Sequence, residues 1–188
     1  MSDPWHSAPI EKRLLSDMPK HIETLKSFVS IPSVSTDPAY KEGILKASEF
    51  VAAELKAAGL TDVAILPTAG HPVVMAAWRQ APGAPTVLVY GHYDVQPPDP
   101  ISAWKSAPFV PDIRDGRLYA RGVSDDKGPM LIPIAVAAAY LAEQGALPVN
   151  MIFLFEGEEE VSSAHLEDFV REHKETLKAD FALSADGA

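Results

Sequence analysis

Residues 127–155 read KGPMLIPIAVAAAYLAEQGALPVNMIFLF. Up to Gln144 the stretch is almost uniformly apolar, which predicts a buried helix over 127–144. The apolar run from Val149 to Phe155 that follows is short enough for a strand buried on both faces. Downstream, residues 165–177 predict a charged amphipathic helix and residues 181–185 a last short strand. Upstream, 63–66, 73–78 and 86–90 are brief β-rich runs set off by Pro and Gly. Strands and helices therefore alternate. Parallel neighbours need crossover connections, so this order predicts an α/β fold of three layers, a mostly parallel mixed sheet flanked by helices.

Two further helices are expected before the sheet. Leu14, Leu15, Met18, Ile22, Leu25 and Phe28 recur at helical spacing over 10–29, with Pro19 predicting either a kink or two shorter helices. Residues 40–58 repeat the pattern through Ile44, Ala47, Val51 and Leu55 and end at Gly59, a residue suited to a left-handed cap. Asp115-Gly116 between β-forming neighbours predicts a hairpin over 113–119.

The chain has 188 residues, with 16 Lys and Arg against 26 Asp and Glu for a net charge of −10. A field of that sign argues against nucleic acid or an anionic membrane as partner. Cysteine is absent, which removes disulfides, thiolate zinc sites and Cys nucleophiles, so any metal must rest on His and carboxylates. The N-terminal residues 1–9 lack the basic flank and apolar core of a secretion signal, and 129–142 falls short of the ~20 residues a bilayer demands. A cytoplasmic protein is expected.

The acidic and imidazole groups fall at telling places. His92 and Asp94 follow the strand at 86–90, and Asp125-Asp126 precede the apolar helix. Glu156, Glu158, Glu159 and Glu160 come at the end of the second buried strand, and Asp186 follows the last one. Ligands of open α/β sheets bind outside the carboxyl ends of strands, so four separated segments are placed to meet in one crevice. Each has a plainer reading. Asp94 is suited to orient His92 toward a metal, or the two are a turn Asp and a half-exposed His. Asp125-Asp126 are a helix-capping pair, or carboxylates whose repulsion a divalent cation relieves. The glutamates are a solvated charge run, or a cluster that needs a positive partner. Converging, such groups suit Zn, Mn or Co, and the chemistry is activation of a water against a carbonyl with an unligated Glu moving the proton.

Val87 to Pro97 (VLVYGHYDVQP), Trp104, Pro108-Phe109, Arg114-Asp115-Gly116, Leu118 to Gly122 (LYARG), Asp125 to Gly128 (DDKG) and Glu156 to Glu160 (EGEEE) together resemble the M20 metallopeptidases, nearest to their dipeptidase branch. The resemblance implies two zinc ions, with His92 and Asp186 on the first, Asp125 bridging, and Glu160 on the second. It implies Glu159 as general base, Asp94 as the residue orienting His92, and a cis peptide between Asp125 and Asp126. The implied reaction is hydrolysis of a small peptide, a dipeptide, by a metal-bridged water, with Mn or Co as alternative ions. Removal of an acyl group from an N-acyl amino acid is the alternative within the family, and a non-catalytic metal-binding or interaction module the alternative outside it.

The family pattern also has a second histidine ligand far downstream and a smaller lid or dimerisation domain inserted soon after the position of Asp186. Neither is present in the 188 residues. Residues 1–188 are therefore expected to be the N-terminal portion of a catalytic domain, without the lid and C-terminal catalytic segment; a homodimer is an option for a full-length protein, and the sequence gives no oligomeric state for this chain. His6, His21, His71, His165 and His173 match no family ligand and are read as structural or exposed.

Overall fold

The computed structural model describes residues 7–186. Helices α1 (Ala8–Ser16) and α2 (Met18–Val29) pack end to end before α3 (Lys41–Ala57). Strands β1 (Ala64–Leu66), β2 (Val73–Trp78) and β3 (Thr86–His92) follow, then the hairpin β4 (Asp112–Arg114) and β5 (Arg117–Tyr119). Helix α4 (Lys127–Gln144), strand β6 (Asn150–Glu156), helix α5 (Leu166–Glu172) and strand β7 (Phe181–Ser184) complete the chain. The main sheet has the order β1-β2-β6-β3-β7. Its β6-β3-β7 side is parallel and its β1-β2-β6 side antiparallel. This is the mixed sheet between helical layers that the alternation predicts.

Alternating side chains of the central strands feed two cores. Val74, Ala76 and Trp78 of β2, Phe153 and Phe155 of β6 and Val89 of β3 point to one face, against Ile44, Ala47, Val51 and Leu55 of α3 and Met130, Ile134 and Ala137 of α4. Val73, Met75 and Ala77 of β2 with Ile152 and Leu154 of β6 point to the other, against Phe169 and Leu177. All six residues of β2 are buried, as a period of two demands of a strand covered on both sides. The 44, 47, 51, 55 spacing puts one apolar stripe of α3 on the sheet.

Three expectations are refined. The first helical segment breaks at Asp17, not at Pro19, which occupies the first turn of α2, where the missing N–H has no helical partner to lose. Helix α5 stops at Glu172 instead of reaching 177, because only Leu166, Phe169 and Leu177 of this charged stretch reach the core. His92 closes β3, paired with Glu156 of β6, so the strand runs two residues further than its apolar run. The hairpin turns at Asp115 and Gly116, both at positive φ, of 50° and 73°.

Candidate metal centre

The parallel strands β3, β6 and β7 end side by side, which brings their following residues to one rim of the sheet. His92 is fully buried there. Its Nδ1 lies 3.1 Å from the backbone carbonyl of Asp94 and 3.3 Å from Asp94 Oδ1. Both are acceptors, so Nδ1 carries the hydrogen. Nε2 faces the opposite way, 3.0 Å from Asp125 Oδ1 and 4.0 Å from Glu159 Oε2. With Nδ1 committed, the lone pairs of Nε2 and Asp125 face one another unless a proton or a cation lies between them.

Asp186, after β7, completes a group. One ligand atom each from His92, Asp125 and Asp186 lies within 4.8 Å of the other two. Ligands about 2.0–2.2 Å from one ion take such spacings. An imidazole with two carboxylates suits a hard to borderline divalent cation, so the residues fit the metal that the motifs imply.

The electrostatics point the same way. Burial opposes a charged imidazole, but the hydrogen bond to Asp94 and the charges of Asp94, Asp126 and Glu159 outweigh it and push His92 up to about 10. Burial first, then repulsion from Asp186 and Asp125, push Asp126 up to about 7 against the pull of His92. Burial also raises Glu160, with Asp125 adding to the effect and Gln96 opposing it. A buried imidazole held charged among carboxylates, with Asp126 and Glu160 raised chiefly by burial, makes a crowded acidic site that a cation would relieve.

Asp94 does more than contact the imidazole. Buried completely, its carboxylate accepts the amide hydrogens of Glu159 at 3.3 Å and Glu160 at 3.1 Å. One side chain thus ties the imidazole to the loop after β6. Asp125 and Asp126 are joined by a cis peptide and diverge in role. The Asp125 side chain is 57% exposed and faces His92, whereas Asp126 is buried and accepts the backbone N–H of His92 at 3.1 Å. Its other oxygen, Oδ1, has no hydrogen-bond partner. Gly91 makes this contact possible, since a Cβ there would lie 2.7 Å from Asp126 Oδ2.

The four glutamates separate. Glu156 accepts from the Tyr90 hydroxyl at 2.6 Å and from Ser163 Oγ at 2.8 Å. Glu158 pairs with His165 at 2.8 Å. Glu159 alone turns toward His92. Glu160 stands apart from the three-residue group, its oxygens accepting from the backbone of Gln96 at 3.1 Å and from Gln96 Nε2 at 2.7 Å. The remaining histidines stay away from the centre: His173 stacks on Phe169, His71 faces the Ser35 carbonyl and His21 lies on α2, while His6 lies outside the described residues. Gln96 and the Glu158–His165 pair were not signalled by the sequence, where Gln96 reads only as a polar residue of a Pro-rich loop.

A buried imidazole held by a carboxylate at the end of β3 faces Asp125, before α4, and Asp186, after β7, a candidate site for a divalent cation. The family model described as "Peptidase family M20/M25/M40" matches residues 88–187, and the chain belongs to that family. It is 37% identical over 166 residues to the Cys-Gly metallodipeptidase DUG1 of Candida albicans, which covers 81% of this chain and 34% of that protein. Among solved structures it resembles human carnosine dipeptidase 1, with a TM-score of 0.89 and 31% identity over 98% of this chain and 42% of the other. The M20 family metallo-carboxypeptidase Sso-CP2 from Sulfolobus solfataricus gives a TM-score of 0.80 and 40% identity over 89% and 37%. The chain thus spans between a third and just over two fifths of the length of these relatives. Among the described residues, no helix is long and apolar enough to cross a membrane.

Proposed function

We propose that the centre serves metal-dependent hydrolysis of small peptides, dipeptides foremost, in the cytoplasm. His92, Asp125 and Asp186 would hold one divalent cation, zinc with Mn or Co as alternatives, and Asp125 with Glu160 a second. Cations at these ligands supply Lewis acidity toward a peptide carbonyl and make a neighbouring water more acidic. The chain's own residues do the rest. Glu159, partly exposed at the rim and 4.0 Å from His92 Nε2, accepts the proton of the attacking water. It returns that proton to the amine nitrogen as the C–N bond breaks, leaving a carboxylic acid and an amine that ionise to carboxylate and ammonium. Asp94 keeps this proton carrier in register with His92 by holding the Glu159 amide and the imidazole together.

The observation that carries the reading is the facing pair of His92 Nε2 and Asp125 Oδ1 with Asp186 beside them. The names of the relatives, a Cys-Gly dipeptidase and a carnosine dipeptidase, support dipeptides over N-acyl amino acids as the substrate class. A second reading, a site for one ion, is favoured by the double hydrogen bond that holds Glu160 on Gln96. The test is hydrolysis of a panel of dipeptides and N-acyl amino acids with added zinc or manganese, comparing the parent with Glu159→Ala. Turnover of dipeptides that falls by about 100-fold or more with metal content unchanged supports the assignment. Equal turnover removes Glu159 as the base.

A further inference from the structure

Lys127 opens α4 directly after the Asp125–Asp126 pair, yet its side chain is completely buried. Its Nζ donates to the carbonyls of Phe28 at 3.1 Å and Ile31 at 2.7 Å and lies 4.8 Å from the centroid of the Phe28 ring. Both hydrogen-bond partners are neutral. The ion pairs of the centre, His92 with Asp94, Asp125 and Glu159, leave Lys127 out.

A buried ammonium without a counter-ion is costly, and a methionine would fill the same volume without that cost. The carbonyls do not require it either. Phe28 O also accepts the Ile31 N–H at 3.1 Å, and Ile31 O accepts the Ser33 N–H at 3.0 Å. Neither would be left without a partner. What the lysine adds is a tie between two segments that, among the described residues, share no other hydrogen bond.

The segment it grips leads back to the centre. Ser33 Oγ donates to the Tyr93 carbonyl at 2.7 Å, the Val95 N–H donates to Ser33 O at 2.9 Å, and Val34 bridges Val95 in parallel. Residues 28–34 are therefore laced on one side to the strand end that carries His92 and Asp94. Through Lys127 they are pinned on the other side to the turn that carries Asp125. Gly122 leaves room for the lysine stem: a Cβ there would lie 3.2 Å from Lys127 Cδ and 2.9 Å from Val95 Cγ1.

We infer that Lys127 is a positioning residue: by gripping the carbonyls of residues 28 and 31 it fixes the start of α4, and with it Asp125, at its distance from His92. The inference rests on the metal reading of the centre. Its test is a cobalt(II) titration of the full chain, followed by visible absorption, for the parent, K127M and K127Q, with thermal melting and amide exchange measured alongside. K127M stays folded and binds cobalt(II) about 10-fold to 100-fold more weakly than the parent, as loss of a support behind a ligand does. Parental affinity in folded K127M overturns the inference. So does loss of the fold in both variants, which assigns Lys127 to stability alone; if only K127M unfolds, the affinity of K127Q decides on the same scale. A parent that takes up no cobalt(II) contradicts the metal reading instead, and amide exchange then decides: faster exchange confined to residues 120–128 in the folded variant supports the tie, and unchanged exchange overturns it.

Discussion

Asp94 meets His92 twice, through its backbone carbonyl at 3.1 Å and its Oδ1 at 3.3 Å from the same imidazole nitrogen. The carboxylate also receives the amides of Glu159 and Glu160, so the strand end of β3 and the loop after β6 share one anchor. Asp94→Ala removes that anchor and leaves two amides without their acceptor. It is expected to lower stability by about 1–3 kcal/mol and to weaken metal binding by about 10-fold to 100-fold. Urea unfolding and a metal titration measure the two effects. A variant that loses stability alone would show that Asp94 organises the loop without steering the imidazole.

Gly91 of β3 lies close against the residues that open α4. An added Cβ would stand 2.7 Å from Asp126 Oδ2, just before α4, and 3.1 Å from Met130 Cβ in its first turn. Gly91→Ala is therefore expected to cost about 1–3 kcal/mol in urea unfolding, the usual range for overpacking. An unchanged midpoint would mean that α4 can retreat from the strand.

Glu156 makes stability depend on pH. Burial is the main cause that raises it, and the hydroxyls of Tyr90 and Ser163 only partly offset this. Because its folded value lies above its unfolded one, the fold favours the neutral acid. The stability it contributes is present below the unfolded value and is lost as pH rises through the folded value. Both hydroxyls donate to the same oxygen, Oε1, which a glutamine can supply. Glu156→Gln in metal-free protein should therefore melt above the parent at neutral pH, with the gap closing as pH falls toward the ordinary glutamate range. A gap that widens on acidification would reverse the sign and refute the assignment.

Much of this was legible in the residues because it depends on local pattern. The six apolar residues of β2 and the helical run of α4 emerge at their expected bounds, since β2 is buried throughout and the apolar run of α4 is long enough to be read without its neighbours, although Ile132 on its outer face is 63% exposed. The meeting of His92, Asp125 and Asp186 agrees with their places at two strand ends and one helix start, where topology brings chain segments together. What was not legible depends on the path of side chains through loops. That Glu160 would turn to Gln96, Glu158 to His165, and Lys127 to carbonyls almost a hundred positions earlier follows from tertiary distances that spacing does not encode. The run of four glutamates looked like one cluster. Backbone direction after β6 sends each to a different partner.

Whether His92, Asp125 and Asp186 share a cation is read from metal binding by Asp125→Ala. In a zinc or cobalt(II) titration monitored by calorimetry, the parent should bind and the folded variant should lose affinity by about 100-fold or more, since one of the three proposed ligands is gone. Binding of the variant with parental affinity and stoichiometry would place the cation elsewhere, or nowhere, and the account of this centre would be wrong.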